Sequence, residues 1–97
     1  MKNLQELYNS PDRWTKDALA RKMDGTRVPI DHPEAYSFYL FGGLIFTYGE
    51  HTPEFKEKID ILRNYTLNVF NEGVITYNND VDTSFEDIQR LVKELGL

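Results

Sequence analysis

The chain contains no cysteine, which excludes disulfide staples, thiolate metal sites and cysteine nucleophiles. It has two histidines, His32 and His51. They flank the two ends of a predicted helix and so lie about 25 Å apart along it, too far to share a metal ion. No apolar run opens the chain. Met1-Lys2-Asn3-Leu4-Gln5-Glu6 lacks the hydrophobic stretch of a signal peptide, and a cytoplasmic location is expected. No glycine loop of the phosphate-binding type is present, because Gly42-Gly43 sits in an apolar run with no Lys or Arg beside it. Ser10, Ser37 and Ser84 have no His–Asp relay in prospect, and no apolar-embedded carboxylate pair suggests acid–base work. Asp80-Val81-Asp82-Thr83-Ser84 begins like a calcium loop. An EF-hand needs Gly at its sixth position and Glu at its twelfth, and here those are Phe85 and Leu91. No residue is therefore assigned a catalytic role, and no cofactor or metal is expected.

Charge is also missing from one long stretch. Between Glu34 and Glu50 the chain reads Ala35-Tyr36-Ser37-Phe38-Tyr39-Leu40-Phe41-Gly42-Gly43-Leu44-Ile45-Phe46-Thr47-Tyr48-Gly49. A helix apolar all round is either buried or spans a membrane. Its uncharged length reaches about 22 Å, short of the roughly 30 Å hydrocarbon core, and it carries glycines, a serine and tyrosines. It reads as a buried central helix, opened by Pro33 at its first position with Glu34 near the positive end and closed by Gly49.

What is there is enough for one core. The 97 residues, 13% of them aromatic, form a single globular domain over residues 1–97. The net charge of −5 is uneven: residues 1–30 carry +2 and residues 31–97 carry −7. An acidic body argues against nucleic acid, which demands phosphate-neutralising cations, and is compatible with docking onto a basic partner.

Around the central helix the pattern predicts several further segments. Asn3–Asn9 is a short helix with Leu4, Leu7 and Tyr8 on one face, and Ser10-Pro11-Asp12 starts another turn. Leu19–Met23 and Thr26–Ile30 form a hairpin about Asp24-Gly25, whose turn residues would both take positive φ; a helix through Asp17–Lys22 ended by Gly25 is the competing reading. Thr52-Pro53-Glu54 caps a helix with Phe55, Ile59, Leu62, Thr66, Val69 and Phe70 inward. Val74–Tyr77 is a short β-like run, Asn78–Asp82 a polar loop, and Thr83 with Glu86 a capping box for a last helix reaching about Leu95. The expected fold is α+β and predominantly α-helical: a central buried helix packed by about three further helices, with a small β-hairpin.

Three stretches carry a resemblance. Trp14-Thr15-Lys16-Asp17-Ala18-Leu19-Ala20 fits W-x-x-x-A-x-A. Ala35-Tyr36-Ser37-Phe38-Tyr39-Leu40-Phe41-Gly42-Gly43-Leu44 is close to A-x-x-W-C-x-x-G-A-L. Asn79-Asp80-Val81-Asp82-Thr83-Ser84-Phe85-Glu86-Asp87-Ile88 is close to N-D-x-x-x-T-x-x-D/E-V, with Thr83 one residue early. In order and spacing the chain resembles an uncharacterised family of small, mostly helical bacterial and phage domains. Phe38 stands for Trp, Tyr39 for Cys, Gly43 for Ala and Ile88 for Val. The resemblance implies a helical fold, close packing at Gly42-Gly43, and Asn79 and Asp80 as polar residues of interest; it implies no activity.

The leading functional expectation is a small phage-like accessory protein acting by protein–protein interaction on a host or self protein, without catalysis and without a membrane. The candidate ligand or partner contacts are Trp14, Arg21, Arg27, Asn79 and Asp80. One alternative is a small-molecule binding domain or minor enzyme with a polar pocket near Trp14, Arg21, Asn79 and Asp80. Another is a structural homodimer built on Tyr36, Tyr48 or Tyr65.

Overall fold

The first helix, α1 (Leu4–Leu7), begins where Asn3 can cap it: the Asn3 Oδ1 accepts from the Glu6 amide. A computed structural model describes residues 3–97. Pro11–Arg13 follows as a single 3₁₀ turn, and then the chain becomes extended. Strands β1 (Ala20–Arg21) and β2 (Arg27–Val28) form the expected hairpin, far shorter than the sequence suggested. Its turn also differs from the predicted one. Only Gly25 has positive φ, at 90°. The Gly25 amide donates to the Lys22 carbonyl and the Lys22 amide to the Thr26 carbonyl, which is a type I turn closed by a glycine bulge. The Asp24 carboxylate accepts from the Thr26 amide across the turn.

The central helix is where expectation and structure part most. α2 spans Leu40–Tyr48, ending at Gly49 as predicted, but it does not start at Pro33. Ser37–Phe38 is instead a third strand, β3, antiparallel to β1, giving a sheet ordered β2-β1-β3. The apolar run is thus divided between a buried strand and a shorter helix. The reason is tertiary: the Tyr36 amide donates to the Arg21 carbonyl, the Thr15 amide to the Phe38 carbonyl, and the Arg13 guanidinium to the Tyr36 carbonyl. Those partners hold residues 36–38 extended against a weak local helix preference.

α3 (Pro53–Tyr65) starts on the predicted Thr52 cap, whose hydroxyl accepts from the Phe55 amide. It then widens into a π-helical turn, Thr66–Phe70, and stops at Asn71 in the left-handed region. The wider turn shifts the side-chain phase. Ile59, Leu62 and Thr66 stay buried, while Val69, expected inward, is 55% exposed and Phe70 is half out. The β-like run is a helix, α4 (Val74–Asn79), with Val74, Tyr77 and Asn78 buried at i, i+3 and i+4. Asn78 is therefore helical and not part of a loop. α5 (Phe85–Leu95) ends at Gly96 as predicted, but its capping box is one residue later, between Ser84 and Asp87. The Thr83 hydroxyl is engaged elsewhere, donating to the Tyr77 carbonyl.

The result is the predominantly helical α+β architecture expected, with a three-stranded sheet in place of a bare hairpin. α2 packs against α1, α3, α4 and β3, and α1 also packs against α5. Leu4, Leu7, Phe38, Leu40, Leu44, Leu62, Ile88 and Val92 are fully enclosed. No helix among the described residues is long and apolar enough to cross a membrane.

Gly42 and Gly43 permit that packing. A Cβ at Gly42 would lie 2.9 Å from the Leu19 carbonyl oxygen, and one at Gly43 would lie 2.5 Å from the Tyr8 hydroxyl. Neither neighbour can retreat cheaply. The Leu19 carbonyl accepts from the Tyr39 amide, and the buried Tyr8 hydroxyl sits 2.9 Å from both the Phe38 and Tyr39 carbonyls, its one proton shared between them. Either glycine replaced by alanine should therefore lower stability by about 1–3 kcal/mol through overpacking, even though alanine gains about 1 kcal/mol of helix propensity. Thermal melting followed by circular dichroism measures it; a raised midpoint would mean the helix has room to spare.

Candidate functional site

Four of the five residues singled out from sequence fall in one hydrogen-bond network, joined through Thr15, Lys16 and Asn78. The Trp14 indole N–H donates to Asn78 Oδ1 at 2.7 Å, and the Leu40 amide donates to the same oxygen at 3.0 Å. Asn78 Nδ2 donates to the Thr15 carbonyl at 3.1 Å and to Asn79 Oδ1 at 2.9 Å. Asn79 Oδ1 also accepts from the Asp17 amide at 2.9 Å. Lys16 Nζ donates to the Asp80 carbonyl, and the Asp80 carboxylate accepts from the Asp82 amide. Arg21 spreads its guanidinium over the Thr15 hydroxyl and the Gly25 and Lys16 carbonyls. This network stitches residues 14–21 to residues 78–80. Its centre, Asn78, is wholly buried and uses every donor and acceptor an amide has. Sequence reasoning placed Asn78 in a solvated loop. The available signal was the i, i+3, i+4 spacing of Val74, Tyr77 and Asn78, which is hidden when Val74–Tyr77 is taken as a β-like run and Asn78 as the start of a loop.

Two concavities flank the network. The first is an open apolar groove of about 680 Å³, walled by Leu19, Val28, Pro29, Tyr39 and Ile75, with Asp17, Arg27 and Asn79 at its rim. Leu19 is 52% and Ile75 55% exposed. Arg27 is the fifth singled-out residue; among the described residues its side chain has no hydrogen-bond or ion-pair partner. Neither Leu19 nor Ile75 was foreseen at a site; each sits in a segment that reads as a strand.

The second is a cleft of about 330 Å³ whose walls carry Tyr65, Phe70 and Tyr77 beside Glu72, Asp80, Asp82, Asp87 and Glu94, with Arg90 the one cation. Phe70 and Tyr77 stack at 4.7 Å. Desolvation and the neighbouring Asp80 carboxyl raise Glu72 above the ordinary carboxylate value. The Asp82 amide, with Glu72, draws Asp80 below it. The Ser84 amide holds Asp87 low. No group of three or more His, Asp or Glu side chains among the described residues is placed to hold a metal ion. The tyrosines considered for a dimer are engaged within the chain: Tyr36 with Asp12, Tyr48 with the Leu97 carbonyl and Tyr65 with Glu94.

Comparison with protein-family models, curated proteins and solved structures finds no match.

Two outcomes follow from this geometry. Asn78→Ala leaves the Leu40 amide and the Thr15 carbonyl without partners, at about 1–3 kcal/mol for each buried group. The variant should melt well below the parent, and emission from the sole tryptophan should shift to the red as its indole N–H turns to water. An unchanged melting point would remove Asn78 from the centre of the fold. Tyr77, pushed up to about 12 first by burial and then by nearby acids such as Asp87, supplies the second. Its unfolded form ionises near 10, so this contribution to stability is complete below about pH 10 and is lost as pH rises toward 12. Urea unfolding against pH should show that decline, and it should be smaller in Tyr77→Phe.

Proposed function

We propose that this chain is a small interaction protein that recognises another polypeptide and performs no catalysis. The observation that carries the reading is the apolar groove between Leu19, Val28, Pro29, Tyr39 and Ile75, left uncovered beside the buried core. Water-facing apolar concavities rimmed by polar groups mark contact sites for partners. The polar candidates point the same way by elimination: Trp14, Arg21 and Asn79 are taken up in holding the fold together. An acidic chain of net charge −5 favours a protein partner over a nucleic acid. In this reading the chain is an accessory protein of the phage-like kind its sequence pattern resembles, blocking or adapting a host or self protein.

The test compares affinity capture by the parent chain with capture by a Leu19→Asp/Ile75→Asp variant. Both positions are exposed, so the variant should melt within a few degrees of the parent, since surface changes away from special features stay near ±0.5 kcal/mol. The expected result is a partner retained by the parent and lost by the variant. Equal retention by both would place recognition elsewhere on the surface.

A further inference from the structure

The groove lies beside an open sheet edge, and the chemistry of that edge specifies an occupant. In the β1–β2 hairpin the Lys22 amide bonds the Thr26 carbonyl, and the register then pairs Arg21 with Arg27 and Ala20 with Val28. Antiparallel pairs alternate between bonded and non-bonded, so Arg21–Arg27 is a non-bonded pair. The main-chain N–H and C=O of Arg27 therefore point away from β1, along the outer edge of β2, and among the described residues nothing bonds them.

The side chains add a charge demand. Two arginines stand directly opposite one another on the same face, an arrangement that repels. Arg21 is satisfied by neutral oxygens only, and Arg27 has no partner at all among the described residues. Although the chain has sixteen acidic residues, among the described residues no carboxylate forms an ion pair with either arginine. Alternation along the strands also puts Leu19 and Pro29 on the face that carries Arg21 and Arg27. A strand laid along this edge thus meets a guanidinium at one position and the apolar groove two residues away.

We propose that β2 receives an extended segment of a partner protein as a fourth strand, with an Asp or Glu opposite Arg27 and an aliphatic side chain two residues from it in the groove. The inference rests on the groove being a docking surface. It disfavours a second copy of this chain, because the two-fold pairing of β2 with itself that uses both main-chain groups of Arg27 sets Arg27 against Arg27. It also limits the ladder: Pro29 has no N–H and its carbonyl already accepts from the His32 amide, so the added strand gains two main-chain bonds, and the carboxylate and the aliphatic side chain must supply the rest.

The experiment titrates a capped, threonine-flanked peptide containing Glu-Thr-Val into the isotope-labelled chain and follows amide and methyl resonances. Saturable shifts are expected at the Arg27 amide and at the Leu19 and Ile75 methyls. A Lys-Thr-Val peptide should bind about fivefold more weakly, the scale of one exposed ion pair, and the parent peptide N-methylated at Glu should lose about as much with its main-chain hydrogen bond to the edge. Arg27→Glu, which also relieves the arginine pair, should reverse the Glu-over-Lys preference. Shifts at Leu19 and Ile75 alone, equal for both peptides and indifferent to N-methylation, would overturn strand addition while leaving the groove as a docking surface. Absence of any shift would overturn this occupant, with the groove still judged by capture. Shifts at Arg27 that grow with protein concentration and need no peptide would mean that a second copy takes the edge, which also overturns it.

Discussion

The arrangement of this protein depends on one buried amide. Asn78 lies on α4, yet it serves as a helix cap for α2, because Tyr39 at the cap position offers no side-chain acceptor. The same oxygen holds the Trp14 indole, and the same side chain's nitrogen holds the Thr15 carbonyl. Three segments far apart in sequence are thereby fixed to a single point. An unmatched amide in such a place is expensive and a fully matched one is specific. That specificity explains why the chain leaves the sheet at Phe38 and turns helical two residues later, at Leu40.

Around that point the packing is unusually close. Gly43 admits the Tyr8 ring, whose hydroxyl reaches the carbonyls of Phe38 and Tyr39. Gly42 admits the Leu19 carbonyl. The short α1 is thus held by a hydroxyl as well as by its leucines, and the Leu4 amide adds a bond to the Leu97 carbonyl. A four-residue helix has no stability of its own; here its neighbours supply it.

The same shortness of elements leaves the groove open. β1 and β2 are two residues each, and α4 presents only Val74, Tyr77 and Asn78 inward. Leu19 and Ile75, one on either side, are left about half exposed. Most of the candidate residues are engaged within the fold. Trp14, Arg21 and Asn79 are polar groups of the fold, and Asp80 ties down Lys16 as well as facing the acidic cleft. Among the described residues, Arg27 alone of the five is left free. Exposed apolar residues in a strand-like or helix-like run carry no local mark that distinguishes a groove wall from a core position, so Leu19 and Ile75 were legible only once the neighbouring elements were in place.

Short-range signals in the sequence were sufficient for much of the architecture. Thr52-Pro53, Asp24-Gly25, Gly49 and Gly96 act within a turn of themselves, through one amide or one positive φ, and each appears where local chemistry puts it. The predominance of helix and the need for close packing at Gly42-Gly43 were equally readable. Tertiary structure decided the rest. Ser37–Phe38 is a strand because Ala20–Arg21 lies beside it, Val74–Asn79 is a helix because Asn78 has partners to reach, and the α3 stripe ends at Thr66 because a π turn rotates Val69 away. In each case the local preference is worth a fraction of a kcal/mol per residue. A buried hydrogen bond left unmade costs about 1–3 kcal/mol, and the partners that prevent that loss come from residues distant in the chain.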